Sequence, residues 1–321
     1  MNHVCYFYED RIPHGLRDLV RISLKEQSLT FNECTYSSTD HEIIEKISDS
    51  ETVLFAPGRF LSDEILSHAS HIRLMQIWSS GYDKFNLEGA KKFGIPVANN
   101  GGANAISVAE HTLLLMLGVS RKLVEMNFRA CSGNWAGNSH GLDMYSLNRK
   151  VLGIVGLGNI GHEVAIRANA MGMRIQYYDV RDRSSAAQAY AGKAVSLEDL
   201  FLTSDYISIH CHHNKLTDRM ITSELLKSTK RGAFFINVSR SQLVDIDTLY
   251  KLACSRHLGG VGLDVYESEP TSGYEPLLGL PSVLATPHTA GSTIDTYKNA
   301  LQRCIDNIKG SLNNQEILWQ V

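Results

Sequence analysis

The stretch that most narrows what this chain can fold into runs from Lys150 to Gly161, Lys-Val-Leu-Gly-Ile-Val-Gly-Leu-Gly-Asn-Ile-Gly. A short apolar strand, Val151 to Val155, leads into Gly156-x-Gly158-x-x-Gly161. A helix-like run from His162 to Met171 follows and is closed by Gly172. A second apolar strand, Met173 to Tyr178, ends on Asp179. Gly156 allows a tight strand-to-helix turn, Gly158 lets backbone N–H groups approach a pyrophosphate, and Gly161 lets the helix pack close to the strand. The helix start carries unpaired donors and a partial positive charge, so it favours an anion. Asp179 stands roughly 20 residues beyond the glycines, where an acid can accept from an adenosine ribose. The whole order of strand, glycines, helix, strand and acid predicts a dinucleotide-binding βαβ unit.

The rest of the chain repeats that rhythm. Strand patterns at Val4 to Tyr8, Leu29 to Tyr36, Val53 to Ala56 and Ile72 to Trp78 alternate with helical patterns at Leu16 to Leu24, His41 to Ile47, Asp63 to Ala69 and Leu87 to Phe93. Ser62 is an N-cap residue for the third of these helices. Such alternation predicts a small parallel sheet covered by helices. Its loop Ser79-Ser80-Gly81-Tyr82-Asp83 follows a strand end and reads either as an anion site or as an ordinary turn. Asn99-Asn-Gly-Gly102 reads as a hinge. A long, largely buried helix from Ser107 to Met126 comes next, with His111 as a satisfied core or interface residue. Past Asp179 the spacing predicts strands at Tyr206 to His210, Ala233 to Val238, Gly260 to Val265 and Val283 to Thr286. Helices are expected after the capping pattern Ser196-Leu-Glu-Asp199, after Thr222, and from Asp247 to Arg256. A last helix, Thr293 to Lys309, lies too far on for the central sheet and is expected to return to the first domain.

Length and composition bound the function. The 321 residues suffice for about two domains. A net charge of −3 offers no basic field for nucleic acid. The longest apolar run, Leu113 to Leu117, is far too short to span a bilayer, and no secretory leader pattern opens the sequence. Six cysteines are scattered without a C-x-x-C pair, which suits free thiols in the cytoplasm.

Arg240, Glu269 and His288 all fall just past predicted strand ends, which gather at the ligand crevice of a doubly wound sheet. Together they suit reversible oxidation of an alcohol beside a carboxylate. The Arg offers a fixed fork for a carboxylate and a carbonyl oxygen. The His exchanges the hydroxyl proton, and the carboxylate orients its ring and stabilises the imidazolium. On spacing alone, a surface ion pair, a solvated acid and a capping histidine would read the same way.

The blocks around these residues resemble a known family. Ser239-Arg240-Ser241-Gln-Leu-Val244-Asp245, Gly262-Leu-Asp264-Val-Tyr-Glu-Ser-Glu269-Pro270 and Thr286-Pro-His288-Thr-Ala-Gly291 look like three signatures of NAD-dependent D-isomer-specific 2-hydroxyacid dehydrogenases. Gly156 to Gly161, Asn104 to Glu110, Gly81-Tyr-Asp83 and Lys91-Lys-Phe-Gly-Ile-Pro96 are similar to that family too. The resemblance implies two flavodoxin- or Rossmann-like α/β domains with doubly wound parallel sheets, the active site in the interdomain cleft, and a homodimer. Residues 1–100 with about 292–321 would form the substrate domain, and 101–291 the NAD-binding domain. It further implies Arg240, Glu269 and His288 as the catalytic residues, with backbone N–H groups of Ser80 and Gly81 joining Arg240 on the substrate. Cofactor contacts would come from Gly156, Gly158, Asn159, Ile160, Gly161, Asp179, Cys211, Val238 and Ser239, and Asp264 would take the nicotinamide carboxamide.

The expected reaction is transfer of a hydride between NAD(H) and a small D-2-hydroxy acid or 2-oxo acid such as glyoxylate or hydroxypyruvate. Phosphite- and phosphoglycerate-type dehydrogenases, and NAD-sensing corepressors that share the trio, remain alternatives; a formate-type branch carries Gln where Glu269 stands. The phosphoglycerate reading is weakened because no C-terminal regulatory domain is expected beyond Val321. Asp179 favours NAD over NADP, since a carboxylate repels a 2′-phosphate. Two departures stand out. His212 replaces a usual proline in His210-Cys-His-His213, a run that does not predict a metal site because adjacent residues of an extended segment face opposite ways. Ser241 replaces a usual glycine and is expected to narrow the substrate pocket.

Overall fold

The computed structural model describes residues 2–56, 59–135, 137–272 and 275–321, which form two compact units, Met1–Asn104 with Thr293–Val321, and Ala105–Ser292. In the first unit, strands β1 (Asn2–Tyr8), β2 (Phe31–Thr35), β3 (Ser50–Phe55), β4 (Leu74–Ile77) and β5 (Val97–Ala98) alternate with helices α1 (His14–Glu26), α2 (Asp40–Ser48), α3 (Asp63–Ser67) and α4 (Leu87–Lys92). The strands lie in the order β2-β1-β3-β4-β5 and pair in parallel, which is the flavodoxin order. Parallel strands are covered on both faces, so they read as apolar runs: Val4 through Tyr8 and Val53 through Phe55 are all buried. Thr39 caps α2 in a reciprocal capping box with Glu42, and the Ser62 hydroxyl accepts from the Ile65 N–H at the start of α3.

The second unit opens with α5 (Ala105–Ser120) and α6 (Leu123–Cys131). One helix from Ser107 to Met126 was the expectation; the structure breaks it at Lys122, whose φ of 50° is left-handed. The Ser120 hydroxyl bonds back to the Met116 carbonyl and lies 2.7 Å from the Tyr206 hydroxyl, which pins the end of α5 to the sheet. The chain then leaves the core, and α6 has no buried residue.

The sheet of this unit is built from β6 (Val151–Val155), α7 (Asn159–Ala170), β7 (Arg174–Tyr178), α8 (Ser184–Ala187), β8 (Lys193–Ala194), α9 (Leu197–Thr203), β9 (Tyr206–Ile209), α10 (Ser223–Lys227), β10 (Phe234–Asn237), α11 (Ile246–Cys254), β11 (Gly260–Leu263) and β12 (Val283–Ala285). All pairings are parallel in the order β12-β11-β10-β9-β6-β7-β8. Counted within the unit this is the dinucleotide-binding order, with its switch point between β6 and β9.

The chain finally returns to the first unit as α12 (Ile294–Leu312), which buries Leu301, Cys304, Ile305 and Ile308 against the core of that sheet. Its C-terminal tail closes the β5 edge: Gln320 bridges Ala98 in antiparallel fashion, and the Val321 N–H donates to the Val97 carbonyl. Among the described residues, no helix is long and apolar enough to cross a membrane.

Candidate active site

Because every strand of the second sheet runs the same way, the residues that follow strand ends share one edge. Gly156 follows β6, Asp179 follows β7, His210 and Cys211 follow β9, Val238 to Arg240 follow β10, Asp264 follows β11, and Thr286 to His288 follow β12. Six segments apart in sequence thus converge by topology alone.

The glycine loop shows what each of its members is for. Gly156 has φ +93°, and a Cβ there would lie 2.8 Å from the Cys211 backbone nitrogen. A Cβ on Gly161 would lie 2.2 Å from the Gly156 carbonyl oxygen, so any larger residue forces α7 off β6. Gly158, the N-cap of α7, is different: a Cβ there meets nothing within 4 Å. The chain itself leaves that space open in front of a helix start whose first N–H groups, those of Asn159 and Ile160 among them, have no intrahelical acceptor. The cradle therefore fits a pyrophosphate.

Asp179 is nearly buried, with its side chain 9% exposed. One of its oxygens accepts from the Leu157 N–H at 2.8 Å, inside the glycine loop, and the other from the Arg181 N–H at 2.8 Å. The acid thereby ties the ends of β6 and β7 together. Arg183 Nε lies 3.5 Å from the same carboxylate and forms an ion pair with it. Cys211 sits under the loop, where burial pushes its thiol up to about 11, and its carbonyl accepts from the Ser239 hydroxyl. Val238 is buried, and the Ser239 N–H donates to the Asn237 side chain, which in turn donates to the Arg240 carbonyl. The backbone turn that launches Arg240 is held by that one asparagine. The Arg240 guanidinium donates to the Ser239 carbonyl at 2.7 Å.

His288 and Glu269 meet directly, Nδ1 to Oε2 at 2.6 Å, with side chains 47% and 32% exposed. The other Glu269 oxygen accepts from the Tyr266 N–H at 3.0 Å. His288 adopts φ +54°, a left-handed conformation uncommon outside glycine.

Asp264 lies at the end of β11 and reaches the loop after β12. It is fully buried, and both oxygens are engaged by the loop after β12: Oδ1 accepts from the Thr286 hydroxyl (2.6 Å) and the Thr289 N–H (2.9 Å), Oδ2 from the Ala290 N–H (2.9 Å). With its side chain 1% exposed, this carboxylate clamps the loop after β12 to the end of β11. Ser241 is 1% exposed and lines a small void with Ile246, Leu263 and Tyr266.

The run after β9 splits three ways. His210 Nε2 lies 2.8 Å from the Ser208 hydroxyl, and burial pushes its imidazole down to about 3. His212 is exposed, and His213 pairs with Asp218 at 2.9 Å. No group of three or more His, Cys, Asp or Glu residues among those described is placed to hold a metal ion. Ser80 and Gly81 belong to the first unit, where the Ser80 hydroxyl bonds the Asn100 carbonyl and the Asn104 side chain. Sequence reasoning missed Tyr266, Thr286 and His111 as supports of the His288 loop. The first two stood inside the quoted signature blocks, but nothing in a one-dimensional pattern shows where their hydroxyls point.

Comparison with known proteins bears on the same residues. A family model described as D-isomer specific 2-hydroxyacid dehydrogenase, NAD binding domain, matches residues 113–290. The chain is 33% identical over 286 residues to a glyoxylate reductase of Korarchaeum cryptofilum (strain OPF8), covering 86% of each protein. It is 29% identical over 302 residues to D-3-phosphoglycerate dehydrogenase 1 of Saccharomyces cerevisiae, covering 88% of this chain and 64% of that protein. The solved structure of a glyoxylate reductase from Paecilomyes thermophila superposes with a TM-score of 0.85 at 25% identity, covering 100% of this chain and 98% of that one.

Proposed function

Since the chain belongs to the D-isomer specific 2-hydroxyacid dehydrogenase family, and so is an NAD-dependent oxidoreductase of 2-hydroxy acids, we propose that it reduces a small 2-oxo acid, glyoxylate or hydroxypyruvate, through His288. The observation that carries this reading is the 2.6 Å contact between His288 Nδ1 and a Glu269 carboxylate that the Tyr266 N–H holds in place. Two of the relatives above are glyoxylate reductases, which favours the smallest substrates.

In this reading Glu269 accepts from Nδ1–H of His288, so the ring presents Nε2 to the substrate. Nε2 donates a proton to the C2 oxygen during reduction and recovers it from the hydroxyl during oxidation. The carboxylate stabilises the imidazolium in either direction. Arg240 holds the substrate carboxylate and polarises the C2 oxygen with its planar donor fork. NAD, when bound, takes up or supplies the hydride. Gly156, Gly158, Asn159, Ile160 and Gly161 would cradle its pyrophosphate, Asp179 would receive its ribose, and Cys211, Val238 and Ser239 would line its cleft. Substrate binding is assigned to Ser80 and Gly81 as well, on the resemblance of Gly81-Tyr-Asp83 alone.

The working form is proposed to be a homodimer. On the second unit α6 buries nothing, while Phe128, Trp135 and Leu142 are 71%, 85% and 92% exposed. Large apolar side chains left exposed along residues 123–142 favour a partner, and a second copy is the one always present. Six free thiols agree with a cytoplasmic location.

The test is the loss of NADH absorbance with purified protein against a panel of 2-oxo acids, phosphate-bearing substrates included. Turnover should be highest with glyoxylate or hydroxypyruvate. Tight NADH binding without turnover on any of them would overturn the reading.

A further inference from the structure

His288 is held through its ring by Glu269, but its backbone is held by something else. We propose that Thr286, buttressed by His111 and Asp264, is a positioning residue that fixes the left-handed backbone of His288 and so aims its ring; this rests on the reading of His288 as the acid/base.

The bonds that bracket His288 meet at Thr286 and Asp264. On the near side, the Thr286 hydroxyl donates to Asp264 Oδ1 at 2.6 Å. On the far side, the Thr289 and Ala290 N–H groups donate to the same carboxylate, each at 2.9 Å. The Thr286 carbonyl accepts twice more, from the Tyr266 hydroxyl at 2.7 Å and from the His288 N–H at 3.0 Å. A residue with φ +54° needs neighbours that leave it no other course, and here they are fixed on both sides.

The direction of the chain of bonds follows from counting protons. A carboxylate only accepts, so the single hydroxyl proton of Thr286 goes to Asp264. His111 Nε2, 2.8 Å from that hydroxyl oxygen, must therefore donate, which fixes the ring as the Nε2–H tautomer. His111 Nε2 also lies 3.7 Å from Asp264 Oδ1. A buried carboxylate needs such donors, and this one receives a hydroxyl and two backbone N–H groups, with an imidazole N–H behind them. The relay runs from α5 to the loop that carries His288: His111 to Thr286 to Asp264, then back to Thr289 and Ala290. Removing the Thr286 hydroxyl leaves both His111 Nε2–H and Asp264 short of a partner. A hydroxyl on the shorter serine side chain restores both.

The experiment compares Thr286→Val, Thr286→Ser, His111→Leu and the parent, all full length. It measures kcat, KM for glyoxylate and for NADH, and the ring ¹H–¹⁵N spectrum of histidine-labelled protein. The His288 Nδ1–H signal is identified by its loss in His288→Ala. In Thr286→Val we expect kcat to fall about tenfold to a hundredfold, in the range for groups that orient a catalytic residue through one intervening contact. KM for NADH should stay within about twofold. The His288 signal should shift or broaden in Thr286→Val and return in Thr286→Ser, with kcat restored to within about threefold. His111→Leu should lose about tenfold in kcat and carries the test if Thr286→Val does not fold. A Thr286→Val protein with parental kcat and an unmoved His288 signal would overturn the proposal, as would a serine variant that folds but rescues neither. If the parent turns over no 2-oxo acid yet the signal still moves with Thr286→Val, the substrate reading fails and the positioning stands on the spectrum.

Discussion

Each unit ends a strand in a loop that the site reading uses, but the two loops are held by different chemistry. In the first unit the loop after β4 is held by neutral groups. Gln76 donates to the Asn99 carbonyl, Asn99 donates to the Ser80 carbonyl, and the Asn100 side chain donates to the Ala300 carbonyl and the Cys304 sulfur. Asn307 on α12 bonds Gln76 and clasps both the N–H and the carbonyl of Leu318 in the C-terminal tail. In the second unit the loops after β7, β11 and β12 are held by the carboxylates of Asp179, Asp264 and Glu269. Amides satisfy a buried backbone without adding charge, so they suit a scaffold. Carboxylates cost more to bury, and they occur here beside the groups proposed to exchange a proton or face a cofactor.

The comparison breaks first at His288. If the charged loop is where protons move, His288→Ala should lower kcat by about a hundredfold to ten-thousandfold while NADH affinity changes little. Stopped-flow turnover and fluorescence titration of NADH check both halves. A large loss of NADH affinity would make His288 a cofactor or structural residue instead.

Glu269→Gln asks whether charge or only shape is needed. The amide keeps an acceptor for the Tyr266 N–H but cannot stabilise an imidazolium as an anion does. A fall in kcat of about tenfold to a hundredfold with little change in melting temperature is expected. A neutral outcome would show that this loop works as the amide-held one does, and would erase the contrast.

In the first unit the corresponding substitution is Asn307→Leu. It leaves Gln76 and both backbone groups of Leu318 without their partner in a site that is 5% exposed. A loss of about 1–3 kcal/mol in denaturant unfolding is expected, the range for stranding buried polar groups. Because the members of this network are amides, with a Cys304 thiol that burial pushes up, the loss should be the same at about pH 6 and about pH 9. A loss that varied across that window would mean a titrating group takes part.

What the sequence revealed, and what it hid, divides along the same line. The glycine loop was legible because φ +93° at Gly156 and the close approach at Gly161 admit almost no other residue. The meeting of Glu269 with His288 was foreseen from signature blocks and from the rule that strand ends converge. The clasp that Asp264 makes on the loop after β12 was hidden, because an acid after a strand end looks alike whether or not it also binds its own chain. The break between α5 and α6 was hidden since Arg121 and Lys122 carry no glycine or proline signal. The two-residue strands β5 and β8 are too short for any periodicity to show. The amide network of the first unit, spread over Gln76, Asn99, Asn100 and Asn307, follows no motif at all.

The smallest expected effect compares two thiols, one at each edge. Cys304 lies in the amide network of the first unit and is fully buried, whereas Cys211 under the glycine loop is only partly buried. Burial raises both, Cys211 to about 11, and the nearby Asp179 carboxylate adds to the rise at Cys211. The thiolate is the reactive form, so a thiol with a raised pKa stays protonated and slow until the pH approaches that value. Exposed Cys131 and Cys254 should therefore alkylate first at mildly alkaline pH. The Cys211 rate should climb about tenfold per pH unit without levelling below about 11, and NADH should slow it if the cofactor covers the loop. Cys304 should stay unlabelled until the first unit opens, because no reagent reaches it. Mass-spectrometric labelling rates across the pH range decide the matter. A Cys211 rate that levels well below about 11 would mean that water enters beneath the glycine loop, and that the charged edge is more open than its hydrogen bonds imply.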